Sequence, residues 1–140
     1  MYPIELVRPM TQELTELGFK SLLSAPEVDQ ELNKSQGTCL LVVNSVCGCA
    51  ARNARPAVRV ALEKGPRPEK LVTVFAGVDT DATSRAREYL LPYPASSPAM
   101  ALFKDGKLVT MIERHSIEGR SADMIAADLN KAFEKFCIAQ

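Results

Sequence analysis

The chain has 140 residues, enough for one domain with a continuous core and no need for disulfide staples. With 46% hydrophobic and 24% charged residues the composition excludes disorder, and seventeen basic residues against seventeen acidic ones give no electrostatic reason to expect nucleic acid or a membrane surface as partner. No apolar run is long enough to span a bilayer, and Met1-Tyr2-Pro3-Ile4-Glu5 carries no basic segment leading into an apolar one, so no secretory signal is expected and the expected location is cytoplasmic.

Residues 9–17 place apolar side chains at helical spacing, with Pro9 in the first turn and Gly18 as a stop. Ser24-Ala25-Pro26-Glu27 reads as the start of a second helix that carries Val28 and Leu32 on one face and ends before Gly37. Residues 1–36 are therefore expected as a helical extension to a single domain covering 1–140. Thr38-Cys39-Leu40-Leu41-Val42-Val43-Asn44 is continuously apolar, as a central strand covered on both faces should be. Two cysteines, Cys47 and Cys49, follow at once, and a helix is expected over 50–63 with Ala54, Ala57, Val58, Ala61 and Leu62 inward and a kink at Pro56.

After a Gly-Pro loop, residues 71–76 read as a second buried strand, and strand, helix, strand implies parallel pairing. Asp79-Thr80-Asp81 offers caps for a helix over 82–90, and a Pro-rich loop runs from Pro92 to Pro98. Two further strands, 99–104 and 107–112, flank Asp105-Gly106, the strongest short hairpin signal. Ser121 caps a last helix with Ile125, Leu129, Ala132, Phe133 and Phe136 on one face. The order predicts an α/β layer structure with a mixed four-stranded sheet.

Sulfur thus sits where a strand becomes a helix. The first amides of a helix lack intrahelical partners and, with the helix dipole, favour a nearby anion such as a thiolate. In a reducing cytoplasm two cysteines so placed point to thiol chemistry or to metal, whereas Cys39 and Cys137 read as packed or incidental thiols. Cys47 comes before the helix and is the expected nucleophile; Cys49 is the expected resolving thiol.

The parallel strand–helix–strand unit with cysteines at its first turn, followed by a helix, an X-Pro hairpin and a closing helix, resembles the thioredoxin fold. Nearly end to end, the chain is similar to the bacilliredoxin family, through Val43-Asn44-Ser45-Val46-Cys47-Gly48-Cys49-Ala50-Ala51, Ala54-Arg55-Pro56-Ala57, Val74-Phe75-Ala76-Gly77, Ser96-Ser97-Pro98 and Arg114-His115 with Ile117-Glu118-Gly119. The resemblance implies a thioredoxin-like, three-layer α/β/α fold with a mixed four-stranded sheet and a cis-proline β-hairpin at Ser97-Pro98. It also implies reduction of mixed disulfides between bacillithiol, or a similar low-molecular-weight thiol, and thiolated protein substrates. No cofactor is then expected beyond a redox-active Cys47–Cys49 disulfide, no metal, and a monomer or weak dimer.

The Cys-Gly-Cys spacing differs from the thioredoxin Cys-x-x-Cys. Side chains at i and i+2 of a regular helix diverge, so the pair can close only if Cys47 precedes the helix and Gly48 lends backbone freedom. Such a small ring is expected to be strained and easily reduced. Hairpin geometry brings Arg114 and His115 beside Ser97-Pro98. Gly48, Ser97, Pro98 and Arg114 are the expected substrate-binding residues, Arg114 for a substrate carboxylate. Asn44, Ser45, Arg55 and His115 are expected to support the site, His115 as a hydrogen-bonded structural group, while Arg52 and Arg55 read as solvated helix arginines. The rival readings are an isomerase of the same fold, a Cys-x-Cys metal module that needs Cys39 and Cys137 to converge, and a redox-inert binding domain.

Overall fold

The sheet is built outward from its most apolar stretch. The structure, a computed structural model, describes residues 2–33 and 36–137; the expected domain limits also take in Met1, Lys34, Ser35 and residues 138–140, which lie outside the described residues. Helix α1 (Ile4–Thr15), strand β1 (Lys20–Ser21) and α2 (Ala25–Leu32) precede β2 (Thr38–Asn44). A wide helical turn, Ala50–Ala54, runs into α3 (Arg55–Leu62), followed by β3 (Lys70–Phe75), α4 (Thr80–Tyr89), β4 (Ala99–Lys104), β5 (Lys107–Ile112), a 3₁₀ turn at Arg114–Ser116 and α5 (Ala122–Phe136). Among the described residues no helix is long and apolar enough to cross a membrane.

Every residue of β2 is buried because the strand lies in the middle of the order β1-β3-β2-β4-β5. β3 runs parallel to β1 and β2, β4 antiparallel to β2, and β5 antiparallel to β4. Alternation along β2 then feeds two cores. Leu40 and Val42 pack with Leu14 of α1, Ala57 and Val58 of α3, and Ile125 and Phe133 of α5. Cys39, Leu41 and Val43 pack on the other face with Val28 of α2 and Ala82 and Ala86 of α4. The result is the expected helix–sheet–helix sandwich.

Its sheet has five strands rather than the expected four. The additional one, Lys20–Ser21, pairs with Val72 and Thr73 of β3 and draws the N-terminal segment into the sheet. Two residues are too few to display a period-two pattern, which is why periodicity missed it. α1 also starts earlier than expected and contains Pro9, which is exposed, while Val7 and Leu14 are buried; docking of these two offsets the hydrogen bond that Pro9 cannot donate.

Pro56 stands where a wide turn gives way to the regular helix α3. It has no N–H for the Arg52 carbonyl and its ring crowds that position, so the preceding turn widens and Arg55 N–H bonds Ala50 O, five residues back. Ser24 and Ser121 cap their helices by accepting from Glu27 N and Met124 N, whereas Asp79 precedes α4 without a side-chain cap. The hairpin turns through Asp105 and Gly106 at φ 53° and 81°, the left-handed pair that suits a two-residue turn, and Asp105 exchanges bonds with Gly37 at 2.8 Å in both directions.

Phe133 is the largest fully buried side chain and lies where α5 covers the sheet. Phe133→Ala is expected to cost about 3–5 kcal/mol, read as a lower urea midpoint at unchanged slope.

Candidate active site

Sheet register gathers the expected site residues at one edge. Asn44 ends β2 opposite Phe75 of β3, and Val43 lies opposite Ala99 at the start of β4. The Ser97–Pro98 bond just before β4 is cis, as expected. Met100 pairs with Ile112 at the end of β5, which brings the Arg114 turn to the same edge.

Cys47 stands before the helix, which is helical from Gly48 onward. The Cys47 carbonyl accepts from Ala50 and Ala51 N–H at 3.1 and 3.3 Å, and its own N–H donates to Ser45 Oγ at 3.2 Å. Both cysteines are free and half-buried, with Sγ of Cys47 and Cys49 2.6 Å apart. One intervening residue therefore does not keep the sulfurs apart. Gly48 is itself helical and does not use a left-handed φ, so the position of Cys47 ahead of the first turn carries this geometry alone. A Cβ on Gly48 would meet only the Arg52 guanidinium, at 3.8 Å.

The two thiols are unequal. Burial alone would push Cys47 up, but hydrogen bonds from the Cys49 thiol, the Ser45 hydroxyl and the N–H groups of Ala50 and Cys49 outweigh it and hold Cys47 below the usual thiol range. Cys49 is pushed up by burial, by its hydrogen bond to Cys47 and by the Cys47 charge, with Arg114 opposing. The shared proton therefore rests on Cys49.

A groove of about 300 Å³ opens beside the sulfurs, walled by Gly48, Arg52, Arg114 and Glu118. Arg114 donates from Nη1 to the Ser97 carbonyl at 3.2 Å and from Nη2 to Glu118 Oε2 at 3.1 Å. That Glu118 bond, together with the negative charge of the cysteine pair, keeps the guanidinium firmly protonated. Ser97 is half-buried and Pro98 buried; they shape the groove through Arg114 rather than lining it. Glu118 was not singled out from the sequence, although it lies one helical turn after Arg114, the spacing of an ion pair. Asn53, also on the groove, bonds the Arg120 carbonyl and ties the cysteine helix to the segment after β5.

Arg55 corrects the expectation of a solvated arginine, being only 2% exposed. Its Nη1 donates to Asn44 Oδ1 at 2.9 Å and to the Ser45 carbonyl at 3.1 Å, and its Nε faces Glu13 Oε1 at 3.2 Å. Arg55 opens the regular helix α3 three and seven residues before the buried Val58 and Leu62, so ordinary helical spacing turns this side chain inward. Asn44 completes the cluster, with Nδ2 on the Met10 carbonyl and Oδ1 accepting Ser45 N–H. Arg52 does stay exposed, at the groove. His115 is exposed in the 3₁₀ turn and does not reach the groove.

The remaining cysteines lie elsewhere. Cys39 is buried at the opposite end of β2 on the α2/α4 face, and Cys137 bonds the Thr38 side chain at that same far end. The four sulfurs do not converge, and among the described residues no group of three His, Cys, Asp or Glu side chains is arranged to hold a metal.

Comparison with known proteins fits this picture. A family model described as "Disulphide isomerase" matches residues 2–137. A Bacilliredoxin from Cytophaga hutchinsonii is 56% identical over 135 residues, covering 96% of this chain and 99% of that protein. One from Bacillus cereus is 50% identical over 133 residues, covering 95% and 92%. Among solved structures, Fasciola hepatica thioredoxin superposes with a TM-score of 0.55 at 16% identity over 84% of this chain and 99% of that one. The thioredoxin-like domain of Arabidopsis NCP gives 0.58 at 18% identity, covering 86% and 80%. These two structural likenesses establish a thioredoxin-like fold. With that fold, a paired-thiol edge and full-length relatives, the chain is a thiol–disulfide oxidoreductase and belongs to the bacilliredoxin family.

Proposed function

We propose that this protein removes bacillithiol, or a low-molecular-weight thiol of similar size, from mixed disulfides on protein cysteines, with Cys47 attacking and Cys49 resolving. The observation that carries the reading is the inequality of the pair, an acidified Cys47 ahead of the helix and a proton-holding Cys49 against it. The name borne by the relatives supports the choice of thiol.

In the first step the Cys47 thiolate attacks the small thiol's sulfur. A Cys47–small-thiol disulfide forms, the substrate's S–S bond breaks, and the substrate protein leaves as a thiolate that takes a proton from water. Cys49 then loses its proton and attacks Cys47 Sγ, releasing the small thiolate and leaving a Cys47–Cys49 disulfide. An external thiol or dithiol supplies the two electrons that reopen it. The redox-active disulfide thus serves in place of a cofactor.

The groove suits the small thiol. Arg114, held by the Ser97 carbonyl, and Arg52 across from it offer two cations to a carboxylate beside the sulfurs. Arg114→Ala is expected to raise KM for the mixed disulfide about tenfold, some 1.4 kcal/mol, measured at a pH where Cys47 is fully ionised. Unaltered steady-state kinetics would remove Arg114 from substrate binding.

The decisive experiment is intact-mass analysis after incubation with a bacillithiolated and a glutathionylated protein. The expected product is a Cys47 adduct carrying bacillithiol and formed faster than the glutathione adduct. Equal or faster transfer of glutathione would overturn the proposed specificity. The family model's description favours one second reading, an isomerase, which uses the same exchange step. Recovery of activity from scrambled ribonuclease, at a rate matching mixed-disulfide turnover, would favour it.

A further inference from the structure

We infer that Arg55 is a positioning residue for the Cys47 thiolate and that α1, through Glu13 and Met10, is part of the redox site. The chain of contacts is continuous. Glu13 Oε1 faces Arg55 Nε at 3.2 Å; Arg55 Nη1 holds Asn44 Oδ1 and the Ser45 carbonyl; Asn44 Oδ1 also takes Ser45 N–H; and Ser45 Oγ takes Cys47 N–H. On its other side Asn44 donates to the Met10 carbonyl at 3.2 Å.

A guanidinium that is 2% exposed carries a large desolvation cost, and an apolar residue at this helix position would avoid it. The charge is held in place by partners that all belong to one task. Ser45 and Val46 lie between the end of β2 and the helix, outside both ladders, so nothing in regular secondary structure orients them. Arg55 and Asn44 clamp both backbone groups of Ser45, and its hydroxyl oxygen accepts Cys47 N–H at 3.2 Å. That hydroxyl is among the groups that keep Cys47 acidic. A lysine at position 55 is a point charge on a shorter stem and does not span Asn44, Ser45 and Glu13 together.

Positioning and simple charge predict different signs at Glu13. By Coulomb's law, removing a negative charge near Cys47 lowers its pKa. If Glu13 instead acts by holding Arg55, its removal loosens Ser45 and raises the Cys47 pKa. The other titratable or charged groups facing Cys47 are Cys49, Arg52, Arg114 and Glu118 around the groove, and all of them stay unchanged in the variants below.

The inference rests on Cys47 as the attacking thiol. Its test reads the pH dependence of Cys47 alkylation by iodoacetamide, mapped by mass, which reports whether or not bacillithiol is the substrate. Arg55→Met and Ser45→Ala are each expected to raise the Cys47 midpoint by about one unit, tenfold in thiolate at low pH, and the double variant by no more than the larger of the two. Arg55→Lys should restore little. Additive shifts, full rescue by lysine, or a loss of thermal stability without a shift would each overturn the proposal. Should Arg55→Met fail to fold, Glu13→Ala decides. Its side chain is 38% exposed on α1, and alanine favours helix. The Cys47 midpoint is expected to rise in this variant and to stay put when Ser45→Ala is already present. A fall, or no change in the otherwise wild-type chain, would overturn the proposal.

Discussion

Cys47→Ser is expected to abolish mixed-disulfide turnover, a loss of at least about 10³-fold, because no other thiol can begin the exchange. Cys49 sits beside it but holds the shared proton, and Cys39 and Cys137 lie at the other end of β2. The partner variant, Cys49→Ser, should behave differently. It keeps the acidic thiol, the Ser45 bond and the helix amides, so the first transfer proceeds and the product accumulates as a Cys47 adduct. Intact mass resolves both cases at the level of a single turnover. Full activity in Cys47→Ser with none in Cys49→Ser would exchange the two roles.

Much of the fold was legible because several elements carried redundant signals. β2 is apolar along its whole length, the hairpin has Asp105-Gly106 between two apolar runs, and α5 joins a serine cap to an apolar stripe. The edge that carries the cysteines was legible through topology, since a parallel crossover and a hairpin leave little choice of where residues 44, 97 and 114 can meet. β1 was illegible because two residues have no period, and α1's true start because Pro9 suggested a first turn when it is an interior, exposed position.

Arg55 was hidden for a deeper reason. It shares the buried face of α3 with Val58 and Leu62, but its partners come from positions 13, 44 and 45, far from it in sequence. Helical periodicity sees only one strand of this arrangement, and an arginine in a helix usually faces water. His115 shows the converse. Its place in the hairpin was read correctly, but a residue brought to an edge by topology need not point into the groove, and this one does not.

The inequality of the two thiols should reverse during the reaction, with a large measurable consequence. In the reduced protein Cys49 is held up by burial first, then by its hydrogen bond to Cys47 and the negative charge there, while Arg114 pulls the other way. Once Cys47 carries a covalent group, its charge and its demand for the Cys49 proton are gone, and Arg114 remains. Cys49 then titrates at lower pH, so capping of Cys47 prepares the thiol that must clear it. Blocking Cys47 with iodoacetamide at pH 6.5 and then labelling with a second, heavier reagent at pH 7.5 tests this. Cys49 is expected to react about tenfold faster in the Cys47-blocked protein than in the reduced protein at the same pH, where Cys47 still carries its charge, a difference of about one pKa unit. Cys39 sets the lower bound in the same experiment. Burial and the nearby Glu31 charge push its thiol up to about 12, which leaves roughly one thiolate in 10⁵ at neutral pH, so it should stay unlabelled until the chain unfolds. Labelling of Cys49 that is no faster after Cys47 is blocked than before would show that the Cys47 charge does not control its partner.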